Sequence, residues 1–310
     1  MNKKIIFSGG GTGGHIFPAI NLMRHFLDKK CEVILVTDNR GNNFIKNYSE
    51  FKSYILRTDT PTNKNLFKKF FSYFLIFYSI VRSIIILRKE KPNLVFGFGG
   101  YVSFPVSFAS RFFNLPLVIY ENNMVLGRTN KYLSSFSRKI FLAKKIMKNF
   151  PEKYKSKTYE VGSILNKNII NSLPFSRENY SEGKFSILVL GGSQGAEIFG
   201  TVIPTVVKMI KEAGYEIKIN QQCTIGQKNL LNNFYESNNI KKYVFDFDAN
   251  ILKLILSSNI AITRCGASTT AELVHTFTPF IAVPLPNSID NHQYLNAKYY
   301  ENKGCCWIIE

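Results

Sequence analysis

Four glycine-bearing stretches of the 310-residue sequence have the composition to hold phosphate: GGGTGGH at 9–15, GFGGY at 97–101, GGSQGA at 191–196 and RCGASTTAE at 264–272. Each closes an apolar run. Glycine lets a backbone take positive φ and come close to a ligand. A helix starting at such a turn aims its unpaired N–H groups and the positive end of its dipole at an anion. The first stretch contains G-x-G-x-x-G as Gly9, Gly11 and Gly14. Asp38 ends the next apolar run, where a dinucleotide-binding unit puts its ribose-binding acid. An NAD- or FAD-binding reading is therefore available, although Gly10, Gly13, His15 and Pro18 depart from the usual small-apolar continuation. One such loop is ordinary turn chemistry. Four, two in each half of the chain, point to phosphorylated ligands on both sides, and Ser268, Thr269 and Thr270 add hydroxyls at a helix start.

The elements that must position these loops are legible as apolar runs. They fall at 4–10, 34–38, 94–100, 117–122 and 139–143, and again at 185–193, 215–223, 242–247, 259–266 and 280–285. The spacing leaves room for a helix between strands, which predicts parallel βαβ units. Such strands are apolar throughout because both faces of the sheet are covered. The second series restarts with its own strand and glycine loop after a polar stretch, 160–184, that contains Pro174. We expect an α/β chain of two doubly wound, Rossmann-like domains, 1–162 and 163–310, facing a cleft. Ligands of such sheets bind at the carboxyl ends of the strands.

Composition excludes a disordered chain, with 45% hydrophobic and 20% charged residues. The net charge of +19 is lopsided: residues 1–162 carry 27 Lys and Arg against 9 Asp and Glu, and residues 163–310 carry 13 against 12. A one-sided basic field suits a polyanionic partner, nucleic acid or an anionic membrane surface, and no RNA- or DNA-binding module is recognisable. The segment LFKKFFSYFLIFYSIVRSIIILRKEK, 66–91, offers the second kind of partner. Its apolar body approaches spanning length but is interrupted by Arg82, and Lys68, Lys69, Arg88, Lys89 and Lys91 flank it. This is the pattern of a peripheral helix on anionic lipid; a buried helix of the sheet domain and a spanning helix are the alternatives. Cys31, Cys223, Cys265, Cys305 and Cys306 form no C-x-x-C pair, and no signal-peptide apolar region precedes the first strand, so a cytoplasmic setting is expected.

GGGTGGHIFPA, GFGGYVSFP, YENNMVLGRTNK, LGGSQGA, RCGASTTAEL and DNHQYLNA occur in that order. Together they closely resemble the MurG family of N-acetylglucosaminyltransferases, across essentially the whole chain. The resemblance implies a GT-B fold and a peripheral enzyme on the cytoplasmic face of the inner membrane. It also implies transfer of N-acetylglucosamine from UDP-N-acetylglucosamine to a lipid-linked muramyl-pentapeptide. By resemblance, Gly11 to Gly14 and Gly97 to Tyr101, with Gly99 and Gly100 among them, would cradle the acceptor pyrophosphate. Thr12, Gly13 and Gly14 would also approach the donor sugar. Ser193, Ala267, Ser268, Thr269 and Thr270 would hold the donor diphosphate. Glu272 would accept from the ribose hydroxyls, the backbone near Asp248 would read uracil, and Gln293 and Asn123 would touch the N-acetylglucosamine.

Inverting transfer to a sugar hydroxyl needs a general base. Histidine's intrinsic range lies near neutrality, so His15 is one candidate, and a helix start would keep its imidazole neutral; Glu121, at a strand end, is the other. Arg264 and helix N-terminal N–H groups would stabilise the leaving UDP. No metal or other cofactor is required, and Asp246-Phe247-Asp248 is read as an accidental D-x-D. Where the family has G-N-P-V-R, this chain has Gly162-Ser163-Ile164-Leu165-Asn166, without the arginine. Family members also continue for some dozens of residues beyond CCWIIE, so the resemblance implies a shortened C-terminus. Alternatives are a GT-B enzyme with another lipid acceptor such as diacylglycerol, a catalytically impaired nucleotide-sugar-binding homologue, and an NAD-dependent oxidoreductase.

Overall fold

A computed structural model describes residues 3–45, 50–58, 66–145, 150–172, 185–192, 196–248 and 250–310. The chain divides into two units, Met1–Ile164 and Leu165–Glu310.

In the first unit, strands β1 (Lys4–Ser8), β2 (Glu32–Thr37), β3 (Lys52–Ile55), β4 (Leu94–Gly97), β5 (Leu117–Glu121), β6 (Lys139–Leu142) and β7 (Thr158–Glu160) form one parallel sheet in the order β3-β2-β1-β4-β5-β6-β7. Helices α1 (Gly13–Asp28), α2 (Asn39–Ile45), α3 (Leu66–Glu90), α4 (Ser103–Ala109) and α5 (Arg128–Leu133) accompany it. Successive strand residues point to opposite faces. Ile6, Ile34, Val95 and Ile119 therefore pack in one core, and Phe7, Leu35, Phe96 and Val118 in another. Both faces are apolar, as a covered parallel sheet requires. The edge strands β3 and β7 were not foreseen: their short sequences, KSYI and TYE, are largely exposed and carry no apolar run.

The second unit repeats the plan. Strands β8 (Phe185–Leu190), β9 (Ile217–Gln222), β10 (Lys241–Phe245), β11 (Ile260–Thr263), β12 (Phe280–Ala282) and β13 (Cys306–Ile308) are all parallel, in the order β10-β9-β8-β11-β12-β13. Helices α6 (Lys167–Asn171), α7 (Glu197–Glu212), α8 (Lys228–Ser237), α9 (Ile251–Leu256), α10 (Ala267–His275) and α11 (His292–Glu301) accompany this sheet. In each sheet the winding direction reverses once, between β1 and β4 and between β8 and β11. Brought together there, the carboxyl ends of adjacent strands open the crevice in which such sheets bind ligands.

Helix α3 puts Ile86 and Leu87 into the core near its end, but elsewhere it turns serines inward and aromatics outward. Ser72, Ser79 and Ser83 are fully buried, while Phe70 is 77% and Phe77 65% exposed, with Phe67, Phe71, Phe74 and Ile85 exposed beside them. The inward hydroxyls find backbone partners: Ser79 Oγ donates to the Arg57 carbonyl at 2.7 Å and Ser83 Oγ to the Ser79 carbonyl at 2.7 Å. From Lys69 to Glu90 the helix is long and apolar enough to cross a membrane by length and composition. Its last residue is moored to the amino ends of two strands. Glu90 accepts from Lys52 Nζ at 2.6 Å, from Lys4 Nζ at 3.3 Å and from the Tyr54 hydroxyl. Burial would raise the Glu90 carboxyl, but these three donors outweigh it and hold it at about 2.

Candidate functional site

The β1 and β4 loops of the first unit pack backbone against backbone. Gly100, at φ +76°, lies so close to the Gly10 carbonyl that a Cβ there would sit 2.6 Å from its oxygen. The His15 ring covers the same pair: Cβ atoms built on Gly99 and Gly100 would meet it at 3.2 and 3.4 Å. Thr12 occupies the N-cap of α1 in an extended conformation and makes no side-chain cap. The first N–H groups of α1, those of Gly13 and Gly14, therefore have neither an intrahelical acceptor nor a capping oxygen. Tyr101, half-buried, continues the second loop, whose Gly100 carbonyl accepts from Ser103 Oγ at 2.9 Å. Asp38 is spent on scaffolding. Its Oδ1 accepts from Gly11 N–H at 3.0 Å and Gly41 N–H at 2.8 Å, so it fixes the glycine loop instead of awaiting a ribose.

Glu121, the last residue of β5, is 2% exposed. One carboxylate oxygen accepts from Asn123 N–H and Asn123 Nδ2, both at 3.1 Å. The other accepts from Gly127 N–H and Asn130 Nδ2, both at 2.9 Å. Four donors, from the loop after β5 and from Asn130 in α5, converge on this carboxylate and organise residues 122–130 around it. The neighbouring Tyr120 hydroxyl accepts from Ile164 N–H at 3.2 Å and donates to the Gly162 carbonyl at 3.1 Å.

In the second unit, α10 starts directly after the β11 turn, with Gly266 at its N-cap and no side-chain cap. The amides of Ala267, Ser268 and Thr269 open the helix. Thr270 differs: its hydroxyl is buried and donates back to the Gly266 and Ala267 carbonyls at 3.0 and 3.2 Å, and its N–H donates to the Gly266 carbonyl at 3.0 Å, so both groups are used within the helix. One turn further on, the Glu272 carboxyl has no hydrogen-bond donor among the described residues, and burial pushes it up to about 7. Arg264 donates Nη1 to the Val283 and Pro284 carbonyls at 3.1 and 2.9 Å and lies 5.2 Å over the Phe199 ring. Gln293 Oε1 accepts from Cys265 N–H at 3.1 Å and Leu285 N–H at 2.9 Å. Asp246 pairs with Lys228 at 3.5 Å. Asp248 accepts from the Tyr243 hydroxyl at 2.9 Å and Asn250 N–H at 2.6 Å, so the two acids of D-x-D serve separate partners. Ser193 lies outside the described residues.

The glycosyltransferase family 28 N-terminal domain matches residues 5–142, and the family 28 C-terminal domain matches residues 186–310. The chain belongs to glycosyltransferase family 28. A curated relative from Pelagibacter ubique is 36% identical over 310 residues, all of this chain and 85% of its own length. Another, from Rickettsia bellii, is 35% identical over 99% of this chain and 86% of its own. Both are named UDP-N-acetylglucosamine--N-acetylmuramyl-(pentapeptide) pyrophosphoryl-undecaprenol N-acetylglucosamine transferase. The crystal structure of Acinetobacter baumannii MurG shares the fold at a TM-score of 0.76, with 24% identity over all of this chain and 86% of that one.

Within this family 28 chain, two buried asparagines escaped the sequence reading although both sit in quoted motifs. Asn130 Nδ2 donates to the Tyr120 carbonyl at 3.0 Å as well as to Glu121. Asn296 Nδ2 donates to the Cys265 carbonyl at 3.1 Å, one helical turn from Gln293, so the two side chains of α11 grip both backbone groups of Cys265. The i, i+3 spacing of Gln293 and Asn296 on one helix face was the available signal. Asn166, which stands where the family arginine was expected, caps α6: its side chain accepts from Asn168 N–H at 2.9 Å.

Proposed function

We propose that the chain catalyses inverting transfer of N-acetylglucosamine from UDP-N-acetylglucosamine to the 4-hydroxyl of undecaprenyl-pyrophosphoryl-N-acetylmuramyl-pentapeptide, as a peripheral enzyme of the cytoplasmic membrane face. The observation that carries this reading is the 36% identity, over the whole chain, to a relative named for that reaction. Its support from geometry is the pair of glycine loops at the winding reversal of each sheet.

The donor belongs to the second unit. The opening amides of α10 would bind its diphosphate, and the ribose hydroxyls would supply the donors that Glu272 lacks. The backbone at Asp248 would read the uracil edge. Gln293, its Oε1 committed to the backbone, would offer Nε2 to the sugar. The acceptor belongs to the first unit. Amides of Gly11, Gly13 and Gly14, with the Gly99–Tyr101 turn, would hold its pyrophosphate, and Thr12 and Asn123 would border the transferred sugar.

Chemistry is a single displacement: the acceptor oxygen attacks the anomeric carbon, its proton passes to a base, and the C–O bond to UDP breaks. His15 is the better base, because its ring faces the glycine turns while Glu121 is filled by four donors. Glu121 becomes a positioning residue. The negative charge growing on UDP would meet the α10 dipole and the fixed charge of Arg264.

The test is transfer of labelled N-acetylglucosamine to the lipid-linked muramyl-pentapeptide, with and without chelator. Chelator-resistant product is expected. Absence of product while UDP still binds would overturn the acceptor. His15→Ala should lower kcat by roughly 10²–10⁴ with nucleotide binding intact; a loss below about tenfold assigns the base elsewhere.

A further inference from the structure

Arg264 stands directly after β11, and Phe199 lies in the first turn of α7, the helix that follows β8. Strands β8 and β11 are neighbours at the winding reversal of the second sheet, with Leu190 beside Thr263. The two side chains therefore meet where the crevice opens. The guanidinium lies 5.2 Å from the centre of the Phe199 ring, within the range at which the negative face of an aromatic ring attracts a cation. Arg264 has no carboxylate partner among the described residues. Burial lowers its pKa from the ordinary value, as for a cation partly stripped of water. What steadies the charge inside the protein is the pair of carbonyls of Val283 and Pro284, both on Nη1, and the ring. The two hydrogen bonds fix one end of the guanidinium fork; the ring face limits the swing of the rest.

The ring is itself immobilised. Phe199 is 3% exposed and shares a core with Val189, Ile203 and Val207. Its carbonyl accepts from Gln221 Nε2 at 3.0 Å, and Gln221, fully buried on β9, accepts in turn from the Tyr235 hydroxyl of α8. Contacts running from α8 through β9 to α7 thus set where the ring face lies. An aliphatic side chain at 199 would fill much of the same core but present no negative face to the cation. We propose that Phe199 is a positioning residue of the transfer reaction: its ring holds the Arg264 guanidinium at the crevice, so that the N–H groups not bound to Val283 and Pro284 meet the diphosphate of the departing nucleotide. This role rests on the reading of Arg264 as support for the leaving UDP and deepens it. Charge on that diphosphate grows as its bond to the sugar breaks, so a cation already fixed there gains more in the transition state than in the ground state.

Phe199→Leu would also loosen the core, so Phe199 is instead replaced by phenylalanines carrying one, two and three ring fluorines. Fluorine draws electron density from the ring face and leaves its shape nearly unchanged. Affinity for UDP, by titration calorimetry, and kcat for transfer are measured on the full chain. Both should fall with each added fluorine, by roughly five- to thirtyfold across the series, while the melting temperature stays within a few degrees. In an Arg264→Gln background the same series should be flat. Two results overturn the role of the ring. Constant kcat and UDP affinity across the series would leave Phe199 a packing residue, and an equal decline in the Arg264→Gln background would trace the effect to the core. The underlying reading fails separately: Arg264→Gln with the kcat and UDP affinity of wild type would remove Arg264 from the leaving-group site. Should transfer to the muramyl acceptor be absent, the trend in UDP affinity alone decides for or against the ring.

Discussion

Glu121 and Glu272 stand in comparable places, one at the end of a strand in the first sheet and one in the helix that follows a strand in the second, yet their surroundings are opposite. Glu121 is buried with four donors at 2.9–3.1 Å. Glu272 is without a donor among the described residues, and burial alone acts on it. A saturated carboxylate belongs to the scaffold, because removing it strands its donors. A desolvated and unsatisfied one is costly to keep ionised until something outside the protein supplies hydrogen bonds. The contrast motivates the proposed division of work: the first unit's acid holds the residues after β5, and the second unit's acid would receive a ligand's donors.

Substitution tests this division directly. Glu121→Ala leaves four donors facing a cavity and should cost roughly 3–6 kcal/mol, a fall in melting temperature of about 10 °C or more. A melting curve like that of wild type would return Glu121 to the list of candidate bases. Glu272→Gln should do the reverse. Its melting temperature holds or rises, while titration calorimetry shows UDP-N-acetylglucosamine affinity reduced by roughly ten- to a hundredfold, the value of hydrogen bonds to a charged acceptor. Undiminished affinity would end the ribose assignment.

A pH series sharpens the same point. Glu272 must be ionised to accept well, and its carboxyl sits at about 7 in the free protein. Affinity for UDP-N-acetylglucosamine should therefore fall as pH drops below 7, approaching tenfold per pH unit, and the slope should vanish in Glu272→Gln. The smallest effect concerns the ligand-free fold. A carboxyl raised from 4.5 to about 7 favours folding fully below 4.5, and that contribution is lost as pH rises through 7. The variant should gain on wild type in melting temperature between pH 5 and 8, by roughly 5–10 °C. A flat difference would mean that Glu272 is not desolvated.

Much of the scaffold was readable in advance because covered parallel strands are written as unbroken apolar runs: KIIFS and FSILVL announce β1 and β8 without ambiguity. The edge strands were not readable, since KSYI and TYE have only one neighbour and little burial. The glutamates illustrate the same divide at the site. Both could be picked out by position, but nothing local separates their roles. The donors that fill Glu121 come partly from Gly127 and Asn130, six and nine residues on, at the end of a loop whose path no propensity dictates and in the helix that follows it. In 66–91 the aromatic density was plain, while the direction it faces depended on which side the serines took. Asn166 was noticed as a missing arginine; its capping role needed the helix it starts.

The inward serines of α3 carry a last consequence. Most helices on a sheet draw stability in water from turning their large side chains inward. This one buries Ile86 and Leu87 near its end but turns Phe67, Phe70, Phe71, Phe74 and Phe77 outward. In water, copies that expose such residues should seek one another through them. Detergent, lipid or dilution should then decide whether the protein is dispersed.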